Sequence, residues 1–271
     1  MSFVENQGVR LYWDDLGCGE SLLLINGLGT TSHLWHRSRS VFAKSFRTIA
    51  LDNRGVGRSD APPGVYSISL MASDAVAVLD AAGIGEAHVL GVSLGGMIAQ
   101  ELALQHPQRV RSLILGCTAA GEPLGPHAVA AEPDALLALM RRGTTPEESN
   151  EAFVPFLYDA ATPRKRIDED MAIRLKWYPT AQGYMGQLQG VSGWDAYDRL
   201  TQITAPTLVI HGESDRLIPP ANAAIIAKRI PGAKLVMIPH AGHVFWTDQP
   251  SAAHHAILEF LGAQRNAASG S

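Results

Sequence analysis

Residues 87–96 read Ala-His-Val-Leu-Gly-Val-Ser-Leu-Gly-Gly, and in this stretch a short apolar strand runs directly into a helix. Gly91 and Gly95 stand two residues to either side of Ser93. Small residues at those positions relieve the crowding of a strand that turns sharply into a helix. The central hydroxyl is then exposed beside a helix N-terminus, whose free N–H groups favour negative charge. The stretch therefore predicts a serine nucleophile at Ser93.

Strands and helices alternate along most of the chain, as short apolar runs alternate with helical patterns. Strands are predicted at residues 3–4, 9–14, 21–25, 47–51, 88–90, 110–115, 207–210 and 234–238. Helices are predicted at residues 33–45, 67–82, 94–106, 219–230 and 250–262. This alternation indicates an α/β protein with a mostly parallel central sheet flanked by helices.

Residues 121–200 interrupt this rhythm. They contain no convincing strand, are helical in composition and are punctuated by prolines. The stretch is too long for a plain loop, so we interpret it as a helical cap inserted between late strands. The predicted organisation is a core of residues 1–120 and 201–265, a cap of residues 121–200 and a flexible tail of residues 266–271.

Composition restricts the classes of function. The chain has 271 residues, 46% of them hydrophobic and 18% charged, with a net charge of −4. That balance argues against nucleic acid or an anionic membrane as partner. No apolar run approaches a membrane span and the first residues do not resemble a signal peptide, so we expect a cytoplasmic protein. Two cysteines, Cys18 and Cys117, exclude a disulfide framework but not a single bridge, and free thiols are the simpler reading.

A serine nucleophile needs a histidine to take its proton and a carboxylate to orient that histidine. Asp215 lies in a turn just past the strand at 207–210, and His243 follows a glycine past the strand at 234–238. Because sites gather at the carboxyl ends of parallel strands, Ser93, Asp215 and His243 should meet at one sheet edge. We predict that these three residues form a catalytic triad.

Other residues compete for these roles. The chain has ten histidines, and His240 is the nearest rival to His243 as the base. Asp198 and Glu213 are rival acids. Gly242 favours His243, because it lets the loop turn the next side chain toward Ser93. The histidines show no metal-ligand spacing, so we expect no metal.

Acyl transfer also needs hydrogen-bond donors for the oxyanion. The N–H of Leu94, which follows Ser93, and that of Leu28, in the glycine-rich loop after the strand at 21–25, are the predicted pair. The substrate pocket should lie between the sheet edge and the cap, and an apolar cap suits an acyl chain or an aromatic acid. The predicted pocket residues are Gly27, Met97, Trp177, Tyr184 and Trp194, although each of the three aromatic residues could equally be packed in the core of the cap.

These motifs together resemble those of α/β-hydrolase-fold proteins over nearly the whole domain. The matching segments are Asn-Gly-Leu-Gly at 26–29, Asp-Asn-Arg-Gly-Val-Gly-Arg-Ser at 52–59, the Ser93 pentapeptide, the Asp215 turn and Gly-His at 242–243. Most relatives have His-Gly at positions 26 and 27. The Asn-Gly of this chain is similar to the 3-oxoadipate enol-lactonase branch, as are residues 61–64 and 117–120. Esterases and lactonases, including enzymes acting on acyl-homoserine lactones, share these pieces.

The resemblance implies a cofactor-free serine hydrolase that cleaves a small, largely apolar ester or lactone through an acyl-enzyme. Haloalkane dehalogenases and epoxide hydrolases carry an aspartate at the nucleophile position, so Ser93 argues against both. A carbon–carbon bond hydrolase, a cofactor-free peroxidase on the same triad and a non-catalytic ligand-binding relative remain as alternatives.

Overall fold

The computed structural model describes residues 2–122, 126–130, 132–134 and 145–269, except for the side chains of residues 266–269. The strands among these residues are β1 Ser2–Asn6, β2 Val9–Leu16, β3 Ser21–Ile25, β4 Arg47–Leu51, β5 Ala87–Val92, β6 Val110–Gly116, β7 Thr207–Gly212 and β8 Lys234–Ile238. They form one eight-stranded sheet in the order β1-β2-β4-β3-β5-β6-β7-β8.

The sheet is mostly parallel, as predicted. The six strands β4-β3-β5-β6-β7-β8, in sheet order, are all parallel. Strand β2 is antiparallel to both of its neighbours, β1 and β4. The central strands β3 and β5 are continuous apolar runs, and their side chains are buried because helices cover both faces of such a sheet. The carboxyl ends of β3 and β5 to β8 therefore lie along one edge.

The helices are α1 Arg39–Phe42, α2 Ile68–Ala81, α3 Leu94–Gln105, α4 Pro146–Leu157, α5 Arg164–Lys176, α6 Ala181–Val191, α7 Ala221–Arg229, α8 Phe245–Asp248 and α9 Pro250–Ser269. Helix α2 packs on α3, and α1 packs on α9. None of the helices in the described part of the chain is both long and apolar enough to cross a bilayer.

Two helix predictions differ from the structure. The helix predicted at 33–45 is divided into a 3-10 helix, Ser32–Trp35, and α1. The start of the 3-10 helix is bound by a residue distant in sequence, because the Asp52 carboxylate accepts hydrogen bonds from both the N–H and the Oγ of Ser32. The last helix continues past residue 262 to Ser269, since its Ala- and Gln-containing end favours helix. The predicted tail at 266–271 is thus helical through Ser269, and residues 270–271 lie outside the described residues.

Between β6 and β7 the described residues form helices α4, α5 and α6 and a 3-10 helix, Tyr197–Gln202. Their only β contact is an isolated bridge between Gly121 and Asp195. Helix α4 begins at a capping box, in which the side chains of Thr145 and Glu148 each accept a hydrogen bond from the other residue's N–H. Residues of this segment line one side of the cavity that contains Ser93.

Candidate active site

Ser93 occupies the sharp turn between β5 and α3. Its φ of 56° and ψ of −123° are unusual for a residue with a side chain. The turn is fixed on both sides, because the Ser93 N–H donates to Gly116 O at 2.9 Å and Thr118 Oγ1 donates to Ser93 O at 2.8 Å. A methyl group on Gly91 or Gly95 would collide with a backbone oxygen, so both positions need glycine. The exposed-elbow geometry expected from the sequence is present.

Asp215 and His243 meet at the same sheet edge, in the loops after β7 and β8. His243 Nδ1 lies 2.8 Å from Asp215 Oδ2, and both residues are buried. The other carboxylate oxygen of Asp215 accepts the N–H groups of Leu217 and Ile218 at 2.9 and 2.8 Å. Burial disfavours the charged carboxylate, but the electrostatic interaction with the His243 imidazole and hydrogen bonds from His211 and His243 outweigh it and hold the pKa of Asp215 below its usual value. The Asp215 carboxylate, as an anion, is therefore suited to orient His243.

A second histidine contacts Asp215, and the sequence analysis did not assign it to the site. His211 Nε2 lies 3.0 Å from Asp215 Oδ2 and 2.8 Å from Ile218 O. Its side chain is fully buried, and its Nδ1 has no partner in the described residues. The sequence signal for His211 was weak, because a histidine at the end of a buried strand more often fills space.

The loop after β3 approaches Ser93 closely. A side chain on Gly27 would begin only 3.1 Å from Ser93 Cβ, so it would crowd Ser93, and glycine relieves this contact. In this loop the N–H of Gly29 is taken by Gln187 Oε1 at 2.9 Å and the N–H of Thr30 by Gly27 O at 3.3 Å. By contrast, no hydrogen bond is formed by the N–H groups of Leu28 and Leu94 within the described ranges. Both predicted oxyanion donors are therefore free to bind a substrate oxygen.

Ser93 and His243 both line a cavity of about 440 Å³. Gly27, Leu28, Leu94, Met97 and Tyr184, which were predicted from sequence, line it as well. Helices α4, α5 and α6 contribute further residues, including Phe153, Leu157, Arg174 and Leu188. Apolar side chains predominate, so the cavity suits an organic ligand of modest size.

The sequence pattern that defines the alpha/beta hydrolase fold matches residues 20–249, which contain Ser93, Asp215 and His243. The chain belongs to the α/β-hydrolase family. The resemblance drawn from the sequence motifs is thereby confirmed, as is the predicted fold.

Relatives of this α/β hydrolase have several named activities. A relative from Azorhizobium caulinodans named "Putative carbamate hydrolase RutD" is 31% identical over 266 residues, which cover 97% of this chain and 98% of that protein. The 3-oxoadipate enol-lactonase 2 of Acinetobacter baylyi is 30% identical over 257 residues, covering 93% of this chain and 92% of that protein. The solved structure of Est816, described as an N-acyl homoserine lactone degrading enzyme, superposes with a TM-score of 0.83 at 32% identity, covering 96% and 100% of the two chains.

Two tryptophans predicted for the pocket of this hydrolase are engaged elsewhere. Trp177 stacks on His33, with ring centroids 4.7 Å apart. Trp194 Nε1 donates to Glu101 Oε2 at 2.9 Å. Neither belongs to the described residues that line the cavity. The composition of the cap pointed to aromatic residues, but packing decides which of them face the cavity.

The His243 loop is bound to the chain between α4 and α5. Asp248 Oδ2 accepts the N–H of Gly242 at 2.6 Å and that of Asp159 at 3.2 Å, and Oδ1 accepts the hydroxyl of Thr162 at 2.6 Å. The N–H of Val244 donates to Leu157 O at 2.9 Å. Burial raises the pKa of Asp248 to about 6, although these hydrogen bonds oppose the shift. Sequence reasoning did not identify Asp248, which has no distinctive motif.

Both cysteines are free thiols, as the sequence suggested. Cys18 is exposed and Cys117 is buried, and neither forms a disulfide. Burial raises the pKa of the Cys117 thiol well above its usual range, so this thiol stays protonated. Within the described residues, no group of three or more histidine, cysteine, aspartate or glutamate side chains could hold a metal ion.

Proposed function

We propose that the protein is a serine hydrolase that cleaves a carboxylic ester or lactone through an acyl-enzyme. The observation that carries the proposal is one cavity that holds Ser93, His243 and the free N–H groups of Leu28 and Leu94. A nucleophile, a base and an oxyanion site are the groups that acyl transfer requires. In this proposal residues 121–200 act as a cap over the cavity.

The reaction would proceed in two halves. Ser93 Oγ bonds to the substrate carbonyl carbon while its proton passes to His243 Nε2, and the Leu28 and Leu94 N–H groups hold the oxyanion. The bond to the leaving oxygen then breaks, and that oxygen takes the proton from His243. Water next gives a proton to His243 while its oxygen bonds to the acyl carbon. The bond between that carbon and Ser93 Oγ then breaks, and Oγ takes the proton back from His243, which releases the acid and restores Ser93. Asp215, through its bond to Nδ1, keeps Nε2 of His243 free to accept a proton.

The test is a hydrolysis panel with the wild type and Ser93→Ala. It contains 4-nitrophenyl esters of increasing chain length, acyl-homoserine lactones, an enol-lactone and a phenyl carbamate, since relatives bear these names. We expect the wild type to cleave members of the ester and lactone groups. Ser93→Ala should lose about four to six orders of magnitude in kcat, because the nucleophile is removed.

The matched control is Ser69→Ala, which removes an exposed hydroxyl from α2. Its activity should equal that of the wild type within about twofold, as surface changes away from a site are close to neutral. Full activity in Ser93→Ala would refute the assignment of the nucleophile. A wild type that cleaves no ester or lactone but does cleave a carbon–carbon substrate, or only binds ligands, would replace the proposed function by one of those alternatives.

A further inference from the structure

Arg174, on α5, differs from the other arginines of the protein. Every other arginine that the structure describes either forms an ion pair with a carboxylate or, for Arg166, donates to backbone carbonyl oxygens. Arg174 lies within 4.0 Å of no described carboxylate, and the described side chain that accepts from it is the phenol of Tyr158. The short stretches outside the described residues contain no aspartate or glutamate. The charge of Arg174 therefore has no acidic side chain as its partner.

Arg174 lines the cavity that contains Ser93. Its Nε is buried without an acceptor among the described residues. The phenol of Tyr158 is close enough for the positive charge of Arg174 to oppose the rise that burial causes in the tyrosine pKa. That phenol donates its own proton to Asp170 Oδ2 at 3.2 Å. A half-buried guanidinium in a mainly apolar cavity is unfavourable unless an acceptor is supplied.

A second unused donor faces the same cavity from the neighbouring helix. Asn150, on α4, also lines the cavity, and its Nδ2 is buried without an acceptor among the described residues. Among the described residues that line the cavity, the one carboxylic acid is Glu122. Its Oε2 accepts the N–H of Gly193 at 2.7 Å, and it forms no ion pair with Arg174. Arg174 Nε and Asn150 Nδ2, two donors on adjacent helices, thus lack acceptors among the described residues.

We propose that the substrate carries a carboxylate, separate from the carbonyl that Ser93 attacks, and that Arg174 and Asn150 bind this carboxylate. The planar guanidinium fork matches a carboxylate in two hydrogen bonds, and the amide N–H supplies another. The apolar lining would hold the carbon chain between the two ends. This inference rests on the proposed function and names its substrate class, which is the half-ester of a dicarboxylic acid or a lactone bearing a carboxylate.

The test compares two esters with acyl chains of equal carbon number. Mono-4-nitrophenyl adipate ends in a carboxylate, whereas 4-nitrophenyl hexanoate ends in a methyl group, and a suberate and octanoate pair extends the series. We expect the wild type to favour the carboxylate in at least one pair by about tenfold or more in kcat/KM. Arg174→Gln should remove this preference, lowering kcat/KM for the charged ester about 10- to 100-fold and for the neutral ester less than threefold. Arg174→Lys should keep part of the preference.

The control variant is Arg164→Gln, on the same helix, which removes an exposed arginine paired with Glu151 and Asp168. It should leave the preference unchanged. Equal losses on both esters in Arg174→Gln, or a wild-type preference for the neutral esters, would overturn the proposal.

A binding measurement separates this proposal from the proposed function. Titration calorimetry measures the affinity of the wild type for monomethyl adipate and for methyl hexanoate. It is done at 4 °C so that binding is recorded before any hydrolysis. If the wild type cleaves no ester, the proposed function fails, but tighter binding of the adipate that is lost in Arg174→Gln still supports the carboxylate subsite. Equal binding of the two ligands would refute that subsite whatever the catalytic result.

Discussion

Replacing Asp248 by asparagine should change how the stability of the protein depends on pH. The carboxylate is buried and accepts three hydrogen bonds, from Gly242, Asp159 and Thr162. An amide can keep these contacts, with its oxygen facing the two N–H groups and its NH₂ facing the hydroxyl oxygen. The substitution therefore removes the titration while preserving the shape of the site.

The magnitude follows from the shift in the pKa of Asp248 from 3.8 to about 6. Because the pKa is raised on folding, the folded protein holds the proton more tightly than the unfolded chain. The contribution of Asp248 to stability is therefore greatest below pH 3.8 and is lost as the pH rises through 6. The full loss is about 3 kcal/mol, at 1.36 kcal/mol for each pKa unit, and about 1 kcal/mol of it falls between pH 5 and 7.

Urea unfolding followed by circular dichroism at several pH values between 4 and 7 would measure this effect. We expect the free energy of unfolding of the wild type to fall, relative to that of Asp248→Asn, by about 2.4 kcal/mol between pH 4 and pH 7. Asp168→Asn, at an exposed aspartate paired with Arg164, serves as the control and should follow the wild type. Parallel pH dependence of wild type and Asp248→Asn would refute the reasoning.

Three further substitutions test the charges of the site and the core. Asp215→Asn removes the anion that orients His243, so kcat for a cleaved ester should fall about 10⁴-fold, and near-wild-type turnover would contradict the triad. His211→Phe removes the second histidine that contacts Asp215 Oδ2 and should lower kcat/KM roughly tenfold, with the melting temperature of each sample recorded to detect unfolding. Asp74→Ala leaves the buried Arg54 guanidinium without the two 2.5 Å hydrogen bonds that it donates to Asp74. Urea unfolding should show that the free energy of unfolding falls by about 3–5 kcal/mol, and a fall of less than about 1 kcal/mol would contradict this.

The strands were the most predictable part of the fold. The bounds of β3, β4 and β8 match the predicted ranges, because each is an apolar run bounded by polar or turn-forming residues. The helix predicted at 33–45 was not recoverable in the same way. Its division depends on Asp52, which lies outside the segment and binds Ser32 only in the folded chain. Local patterns therefore predict elements that are stabilised by their own periodicity, but not those shaped by distant side chains.

The residues of the candidate site likewise fall into two groups, those that local sequence predicts and those that only tertiary packing reveals. Ser93, Asp215 and His243 could be proposed from sequence because each follows a strand, and topology brings the ends of parallel strands together. Arg174 could not, since an arginine on the charged helix α5 is expected to face water. Only packing shows that it lines the cavity and lacks a carboxylate partner. The directions of Trp177 and Trp194 could not be predicted either, because the composition of residues 121–200 does not determine which side chains face the cavity.

The chain between α4 and α5 is fastened to both loops that carry the proposed acid and base. Asp248 joins this segment to the His243 loop. In addition, the Asp159 carboxylate accepts a hydrogen bond at 2.7 Å from the hydroxyl of Ser214, the residue before Asp215. We therefore expect a ligand that pushes this segment outward to displace the imidazole of His243 as well. We expect the enzyme to discriminate among esters through turnover more than through affinity. A poorly shaped ester would occupy the cavity as an inhibitor and react slowly, rather than fail to bind.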